Sequence, residues 1–287
     1  MTALSPNGTD FTFDGPEKAP VVVLIHGLGL NKNCWQWMIP DLKDSYRVLS
    51  YDLFGHGGSS DPETEPSLSL FSKQLADLLD YCKIQRAVII GFSLGGMIAR
   101  RFAQDAPEKS QALVILHSPH KRSDAAQLAI LKRVDQARTM GPESTVEAAL
   151  ERWFTDPFRH ANPDLMTTVR QWVTANRREV YHTIYKVLAT GIDEIVKPSP
   201  ALICPTLVIT GDQDFGNGPE MTFAIAAEIP GAKSLVLPNL RHMALAEAPH
   251  AVNKPVRTFM DSLNLLNCAY KSLTRQALTS GLYSSEI

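Results

Sequence analysis

The sequence predicts an α/β fold in which a mostly parallel, doubly wound sheet carries an inserted helical cap. Short, nearly continuous apolar runs recur along the chain, and helical patterns separate them. Such runs fit strands that are buried on both faces of a sheet, and strand–helix–strand alternation favours right-handed crossovers. One long, exclusively helical stretch, residues 119–199, interrupts this alternation and is far longer than a crossover needs.

The predicted strands are apolar runs rich in β-branched residues. They are Val21–Gly27, Tyr46–Leu53, Ala87–Ser93, Gln111–His117, Thr206–Gly211 and Lys233–Pro238. Apolar residues at three- and four-residue spacing predict a helix over 70–82. A second helix is predicted to begin after Ser93 and to end before Pro107, because proline cannot continue a helix.

The sequence divides into three predicted parts. Residues 1–118 and 200–264 form an α/β core, 119–199 a helical cap, and 265–287 a C-terminal extension. The alternative for 119–199 is a set of extra helices packed at the sheet edge. In the extension, a weak apolar helical face leaves open both packing against the core and a contact in a homo-oligomer; its residues are Leu265, Leu266, Ala269, Tyr270 and Leu273.

Composition excludes several classes of protein. The 287 residues are 44% hydrophobic and 20% charged, as in ordinary globular proteins. A net charge of −2 gives no electrostatic reason to expect nucleic acid or a membrane surface as partner, and no apolar run reaches the ~18 residues of a membrane span. The N-terminus lacks the features of a signal peptide, and the four cysteines are scattered, which predicts a cytoplasmic location. No metal or organic cofactor is predicted, because the histidines and cysteines show no ligand spacing.

Residues Ile89–Met97, "IIGFSLGGM", place Ser93 among glycines at the end of an apolar run. A serine hydroxyl is a poor nucleophile at neutral pH and needs an adjacent base. Gly91 and Gly95 permit the tight turn that lifts such a serine clear of the backbone, and the following helix adds free N–H groups and a positive dipole end. Because strand, turn and helix are all predicted here, Ser93 is the candidate nucleophile.

The base and the acid are expected after the last two predicted strands. His242 follows the last strand, in a loop before the C-terminal helix, and is the predicted base. Asp214 lies a little beyond the preceding strand, where it can reach the top of the sheet, and is favoured as the acid over Asp212 and Asp124. The histidines ranked below His242 are His117, His120, His160, His182 and His250.

An oxyanion site needs two backbone donors that point at the developing negative charge. One is predicted to be the N–H of Leu94, directly after the nucleophile. The other is predicted in the loop "HGLGL", where Leu28 lies between Gly27 and Gly29. His26 is expected to brace this loop by hydrogen bonding.

Five motifs in this order resemble those of α/β-hydrolase-fold serine hydrolases, over Phe11 to Leu263: "HGLG", "YDLFGHGGSS", "GFSLGGM", "TGDQD" and "RHMALAEAP". The resemblance implies an α/β-hydrolase fold, with Ser93 as nucleophile, Asp214 as acid and His242 as base, in the chain order of that family. The cap segment "LERWFTDPFR" is similar to that of 3-oxoadipate enol-lactonases and related lactonases or esterases. The N-terminal region is expected to be short for the family's first strand and hairpin.

The sequence therefore predicts a serine hydrolase that cleaves a small carboxylic ester or lactone through an acyl-enzyme. Trp153, Trp172, His182 and Tyr185 are candidates for lining a substrate pocket under the cap. C–C bond hydrolases, hydroxynitrile lyases and cofactor-free perhydrolases use the same three residues and remain alternatives. A receptor that binds a small ligand with vestigial hydrolysis is an alternative of another class.

Overall fold

A computed structural model describes residues 2–263, which contain one eight-stranded sheet. The strands are β1 (Thr2–Leu4), β2 (Asp10–Asp14), β3 (Val21–Ile25), β4 (Arg47–Tyr51), β5 (Ala87–Phe92), β6 (Ser110–Leu116), β7 (Thr206–Gly211) and β8 (Lys233–Leu237). Their order in the sheet is β1-β2-β4-β3-β5-β6-β7-β8. β2 pairs antiparallel with β1 and β4, and all other pairs are parallel. The predicted α/β fold is confirmed.

The apolar runs form the centre of the sheet. Every residue of β5 and β7 is buried, and β6 has only one residue that is not. Helices cover both faces of these strands, so their sequences need no polar positions. At the edge, Lys233 and Ser234 of β8 are exposed.

The helices of the core lie on either side of the central strands. They are α1 (Ile39–Leu42), α2 (Leu68–Tyr81), α3 (Leu94–Asp105), α9 (Pro219–Ala227), α10 (Ala244–Glu247) and α11 (Pro249–Ser262). α2 begins where the Ser67 side chain accepts a hydrogen bond from the Leu70 amide, as expected of an N-cap. Phe71, Leu75 and Leu78 are buried on one face of α2, which is the face that the apolar spacing predicts.

Five helices lie between β6 and β7. They are α4 (Asp124–Met140), α5 (Glu143–Trp153), α6 (Asp156–Ala161), α7 (Pro163–Thr174) and α8 (Arg178–Thr190), followed by a 3-10 turn over Gly191–Glu194. All five lie within residues 119–199, the stretch that the sequence predicts to be exclusively helical. We call residues 119–199 the cap from here on. Its exact boundaries stay a prediction.

The expectation of a shortened N-terminus is wrong. β1 and β2 form an antiparallel hairpin in which Leu4 pairs with Asp10, and β2 pairs in turn with β4. The sequence pattern did not predict this hairpin, because β1 has only three residues and β2 is mostly half-buried, so neither strand forms a long apolar run. The weak helical face predicted at Leu265–Leu273 lies outside the described residues.

No helix within residues 2–263 combines the length and the apolar character that crossing a bilayer requires.

Arg100 of α3 ties both ends of the cap to the core. Its side chain is 1% exposed and donates hydrogen bonds to the carbonyls of Pro119 (3.2 Å) and Ile195 (2.9 Å). The same guanidinium lies 3.5 Å from a carboxylate oxygen of Glu228. Because a buried cation is stable only with such partners, Arg100 fixes where the cap leaves and rejoins the sheet.

We expect Arg100→Met to lower the free energy of unfolding by about 3 kcal/mol, since it leaves two buried carbonyls and Glu228 without their donor. Urea unfolding measures this change. Arg101→Met is the matched control on the next residue, because Arg101 makes only surface ion pairs with Asp105 and Glu194, and should cost less than about 1 kcal/mol. Equal losses for both variants would contradict the assigned role of Arg100.

Candidate active site

Ser93 lies in a strained turn between β5 and α3. Its φ of 55° and ψ of −115° fall in a region that non-glycine residues rarely occupy. Side chains at the neighbouring glycines would clash: a Cβ at Gly91 would lie 2.2 Å from the carbonyl oxygen of Gly95, and one at Gly95 2.1 Å from that of Ile25. The two glycines therefore allow α3 to start directly against the sheet, and this close approach forces the turn that presents Ser93.

Asp214 follows β7, and its carboxylate is buried and fully hydrogen-bonded. Oδ1 accepts from the backbone amides of Gly216 (3.1 Å) and Asn217 (3.0 Å). Oδ2 accepts from Nδ1 of His242 (2.7 Å) and from Nδ1 of His117 (2.9 Å). Burial raises the pKa of the Asp214 carboxyl, but the two histidines outweigh burial and hold that pKa below its ordinary value. Asp214 is therefore an anion at neutral pH.

His242 follows β8, as predicted, and lies over the end of β5. Because its Nδ1–H donates to Asp214, Nε2 of the neutral ring carries the free lone pair. The ring centroid lies 4.9 Å from that of Phe92 and 6.1 Å from that of Trp153. Ser93 and His242 line one cavity between the core and the cap, and no direct hydrogen bond joins these two described side chains. Such contacts are often long until a substrate is bound.

The two predicted oxyanion donors lie beside this serine. Leu28 is in the loop after β3, and Leu94 is the first residue of α3. In the part of the chain that the structure describes, neither backbone N–H donates to a protein acceptor. The Leu94 amide is one of the unpaired donors that every helix start leaves. Gly27, Leu28 and Ser93 line the same cavity, and Leu94 follows Ser93 directly in the chain.

Two buried histidines brace the loop that carries Leu28. Nε2 of His26 accepts from the Leu53 amide, and Nε2 of His56 accepts from the Gly29 amide, both at 3.0 Å. A ring nitrogen can accept only when it is unprotonated, so both rings are neutral. Burial lowers the pKa of His26 and lowers that of His56 to about 3. His26 thus makes the bracing contact that the sequence predicts.

Most of the rival acids and bases lie away from the cavity. Asp124, Asp212, His160 and His250 are exposed. His120 is turned toward α9, where its Nε2 lies 3.0 Å from a carboxylate oxygen of Glu228. His117 is the exception, because it contacts Asp214 directly.

The predicted pocket residues divide into two pairs. Trp153 and Tyr185 line the cavity. Trp172 and His182 do not. The buried face of α7 consists of other residues, and the Trp172 ring packs 6.4 Å from that of Trp37 on the core. His182 of α8 is half-buried but is not part of the cavity lining, and its Nδ1 lies 3.1 Å from the carbonyl oxygen of Arg178 in the preceding turn.

Three arginines that the sequence analysis did not single out also line the cavity: Arg122, Arg133 and Arg152. Helical periodicity could not find them, because apolar residues occur all around α4. Leu128 and Leu131 of that helix are exposed, whereas Arg133 turns inward. Only the packing of the cap onto the core decides which face of α4 meets the cavity.

His117, Asp214 and His242 each offer a ligand atom, and these atoms lie within 4.8 Å of one another. A metal ion would need their lone pairs to converge on one point about 2 Å from each nitrogen. Instead, the two Nδ1 atoms lie 2.7 Å and 2.9 Å from Asp214 Oδ2, so a proton occupies each nitrogen on the side that faces the carboxylate. The arrangement is that of a hydrogen-bonded carboxylate.

Comparison with known proteins agrees with this geometry. A family model described as the α/β hydrolase fold matches residues 20–249. The chain belongs to the α/β hydrolase fold family. The match spans β3 to α10, so it covers the whole sheet except the N-terminal hairpin of β1 and β2.

Several similar proteins span nearly the whole chain. (E)-2-((N-methylformamido)methylene)succinate hydrolase of Acinetobacter baylyi is 27% identical over 90% of this chain and 97% of its own length. 3-Oxoadipate enol-lactonase 2 of the same organism is 28% identical over 87% of this chain and 92% of its own. The crystal structure of the enol-lactonase from Burkholderia xenovorans LB400 is 25% identical with a TM-score of 0.84, and the match covers 91% of this chain and all of that one.

The bracing histidines predict how stability depends on pH. His56 is neutral in the folded chain down to about pH 3, whereas in the unfolded chain it takes up a proton near 6.5. The contribution of the neutral His56 ring to the free energy of unfolding is therefore present above pH 6.5. It is lost as the pH falls toward 3, at up to about 1.4 kcal/mol per pH unit. We expect His56→Gln, which can still accept from Gly29, to lose less stability than the parent between pH 7 and 5. Identical losses, measured by urea unfolding, would contradict the buried neutral ring.

Proposed function

We propose that the chain is a serine hydrolase that cleaves a small carboxylic ester or lactone through an acyl-enzyme. One observation carries this proposal. Ser93, held in a strained turn, lines one cavity with a histidine whose Nδ1 is bonded to a buried carboxylate, beside two unpaired backbone amides. A nucleophile, a base, an orienting acid and an oxyanion site are the complete set that acyl transfer requires.

The proposed reaction has two halves. The substrate carbonyl oxygen accepts hydrogen bonds from the amides of Leu28 and Leu94 as Ser93 Oγ attacks the carbonyl carbon, and His242 Nε2 takes the serine proton. The C–O bond of the ester then breaks, and the leaving oxygen receives that proton from His242. Water attacks the acyl-enzyme with His242 again as base, which releases the acid and restores Ser93. For a lactone, the leaving alcohol stays tethered to the acyl group.

Asp214 supports both halves through His242. Its bond to Nδ1 fixes the ring with Nε2 unprotonated, and its charge stabilises the imidazolium that forms. His26 and His56 already hold the loop that carries the Leu28 donor, and the Leu94 donor is the first residue of α3. The enol-lactonases among the similar proteins support a lactone or ester as the substrate class.

A burst assay with p-nitrophenyl esters of increasing chain length tests the proposal. We expect a rapid release of one equivalent of nitrophenol followed by steady turnover. Ser93→Ala should abolish the burst and nearly all turnover, since no other group can form the acyl-enzyme. Unchanged thermal unfolding of that variant is the control for folding, and a folded, active Ser93→Ala protein would end the proposal.

A matched pair of aspartates tests the acid within the same assay. Asp214→Asn should lower kcat by about 10³- to 10⁴-fold, because an amide favours the wrong histidine tautomer. Asp212→Asn, two residues away and exposed, should change kcat less than about twofold. A larger effect at Asp212 would reverse the assignment. Slow or absent turnover of the esters together with tight binding of a small ligand would instead favour the alternative function, a small-ligand receptor with vestigial hydrolysis.

A further inference from the structure

The cavity that holds Ser93 contains three cations without acidic partners. Arg122 comes from the loop before α4, Arg133 from α4 and Arg152 from α5, and all three line the cavity. Among residues 2–263 these three have no carboxylate oxygen within 4.0 Å, and neither do Arg47, Arg86 and Arg178, which do not line the cavity. Eight other arginines have such a partner. The eight are Arg100, Arg101, Arg138, Arg159, Arg170, Arg177, Arg241 and Arg257.

Two of the three guanidiniums contact neutral groups. Arg133 Nε donates to the hydroxyl of Tyr185 at 3.1 Å, and Arg122 Nη1 lies 3.5 Å from a backbone carbonyl of α8. Burial, together with the nearby charge of Arg133, lowers the pKa of Arg122 to about 10, and the same two causes lower that of Arg152. All three stay protonated at neutral pH, so the cavity wall is cationic.

The one carboxylate of the cavity does not neutralise them. Asp214 already accepts hydrogen bonds from His242, His117 and two backbone amides. Partly buried charges that repel one another weaken the fold unless an anion joins them. Planar guanidiniums bind carboxylates through paired hydrogen bonds. A carboxylate is therefore the anion that fits these three arginines.

We propose that the substrate carries a carboxylate, separate from the scissile carbonyl, which Arg122, Arg133 and Arg152 bind. This inference rests on the proposed function and narrows it to anionic esters or lactones. Because the arginines belong to the cap and its entrance loop while Ser93 belongs to the core, the carboxylate orients the substrate and joins the two parts across the cavity.

A pair of esters that differ only in charge tests the inference. Mono-p-nitrophenyl adipate and p-nitrophenyl hexanoate have acyl chains of the same length, and only the first ends in a carboxylate. We expect kcat/KM to be roughly 10-fold or more higher for the adipate, and the ratio to fall in 0.5 M salt. Arg152→Gln and Arg133→Gln should each lower this ratio by roughly 10-fold. Arg170→Gln is the control, because Arg170 pairs with Glu147 and does not line the cavity.

The outcomes separate this inference from the proposed function. Serine-dependent turnover of both esters at equal efficiency would overturn the carboxylate site and leave the serine hydrolase standing. If neither ester is turned over, ligand binding measured by thermal unfolding tests the carboxylate site. Adipate should raise the melting temperature of Ser93→Ala, and hexanamide should not. Loss of that shift in Arg152→Gln would support the site. No shift with adipate, or an equal shift with inorganic phosphate, would overturn it.

A second inference concerns His117, which shares one oxygen of Asp214 with His242. The Nδ1 atoms of both rings contact Oδ2, and the ring centroids lie 5.7 Å apart. His117 Nε2 is buried without a partner in the described chain, and its backbone carbonyl accepts from the Asn217 side chain. Asp214 and His242 are the titratable groups that face this ring. The His117 ring therefore makes its short contact with Asp214 at 2.9 Å, and its other polar contact is a longer one, 3.4 Å, between Nδ1 and Thr210 Oγ1.

We infer that His117 is a positioning residue that orients Asp214 and moderates its attraction for the His242 imidazolium. A neutral donor on Oδ2 withdraws part of the carboxylate charge, so its loss should make the imidazolium form of His242 more favourable. His117→Leu should then move the acid limb of the kcat/KM profile to higher pH by roughly half a unit to one unit. His117→Asn, whose amide can donate from the same place, should restore the parent profile.

A structural role alone would lower activity at every pH by the same factor. An unmoved acid limb in His117→Leu, or a shift that His117→Asn does not reverse, would overturn the inference. Should His117→Leu fail to fold, His117→Gln, whose amide lies one methylene farther from the backbone, provides the displaced-donor comparison. Its acid limb should lie at higher pH than the limbs of the parent and of His117→Asn, and a limb equal to that of the parent would count against positioning.

Discussion

The buried carboxylate of Asp214 is the constraint around which the rest of the site is arranged. An anion with 5% of its residue surface exposed is stable only if every lone pair has a donor, and four donors reach it from three strand ends. His117 ends β6, the two amides follow β7, and His242 follows β8. The need to satisfy one charge therefore fixes three loops at the same edge of the sheet. Ser93 reaches that edge for a different reason, since the glycines around it bring α3 against the sheet.

The cap completes the site rather than merely covering it. The loop of His242 is tied to the end of α5, where the Met243 amide donates to the Trp153 carbonyl at 2.8 Å. Arg241 donates to the Phe154 carbonyl at the same distance. The base and the cavity wall are thus built as one unit, and a change in the packing of the cap would move both.

The sequence predicted what depends on local pattern. Apolar runs predicted the six strands β3 to β8, and the glycine spacing, together with the strand ends, predicted Ser93, Asp214 and His242, which line one cavity in the structure. Contacts between residues that are distant in the sequence could not be predicted from local pattern. Nothing local distinguishes Trp153, which faces the cavity, from Trp172, which packs on Trp37. The three arginines were not predicted as cavity residues for the same reason, because their orientation toward the cavity depends on how the cap helices pack. The N-terminal hairpin was missed because short, half-buried strands leave little apolar signal.

The central claim is that Ser93 is a nucleophile activated by His242. Labelling with a fluorophosphonate, followed by peptide mapping with mass spectrometry, tests it most directly, because the probe reacts covalently only with an activated serine. We expect one adduct per chain, on the peptide that contains Ser93, and slow formation of that adduct in His242→Gln. A folded protein that takes up no label, or that is labelled on another residue, would contradict it.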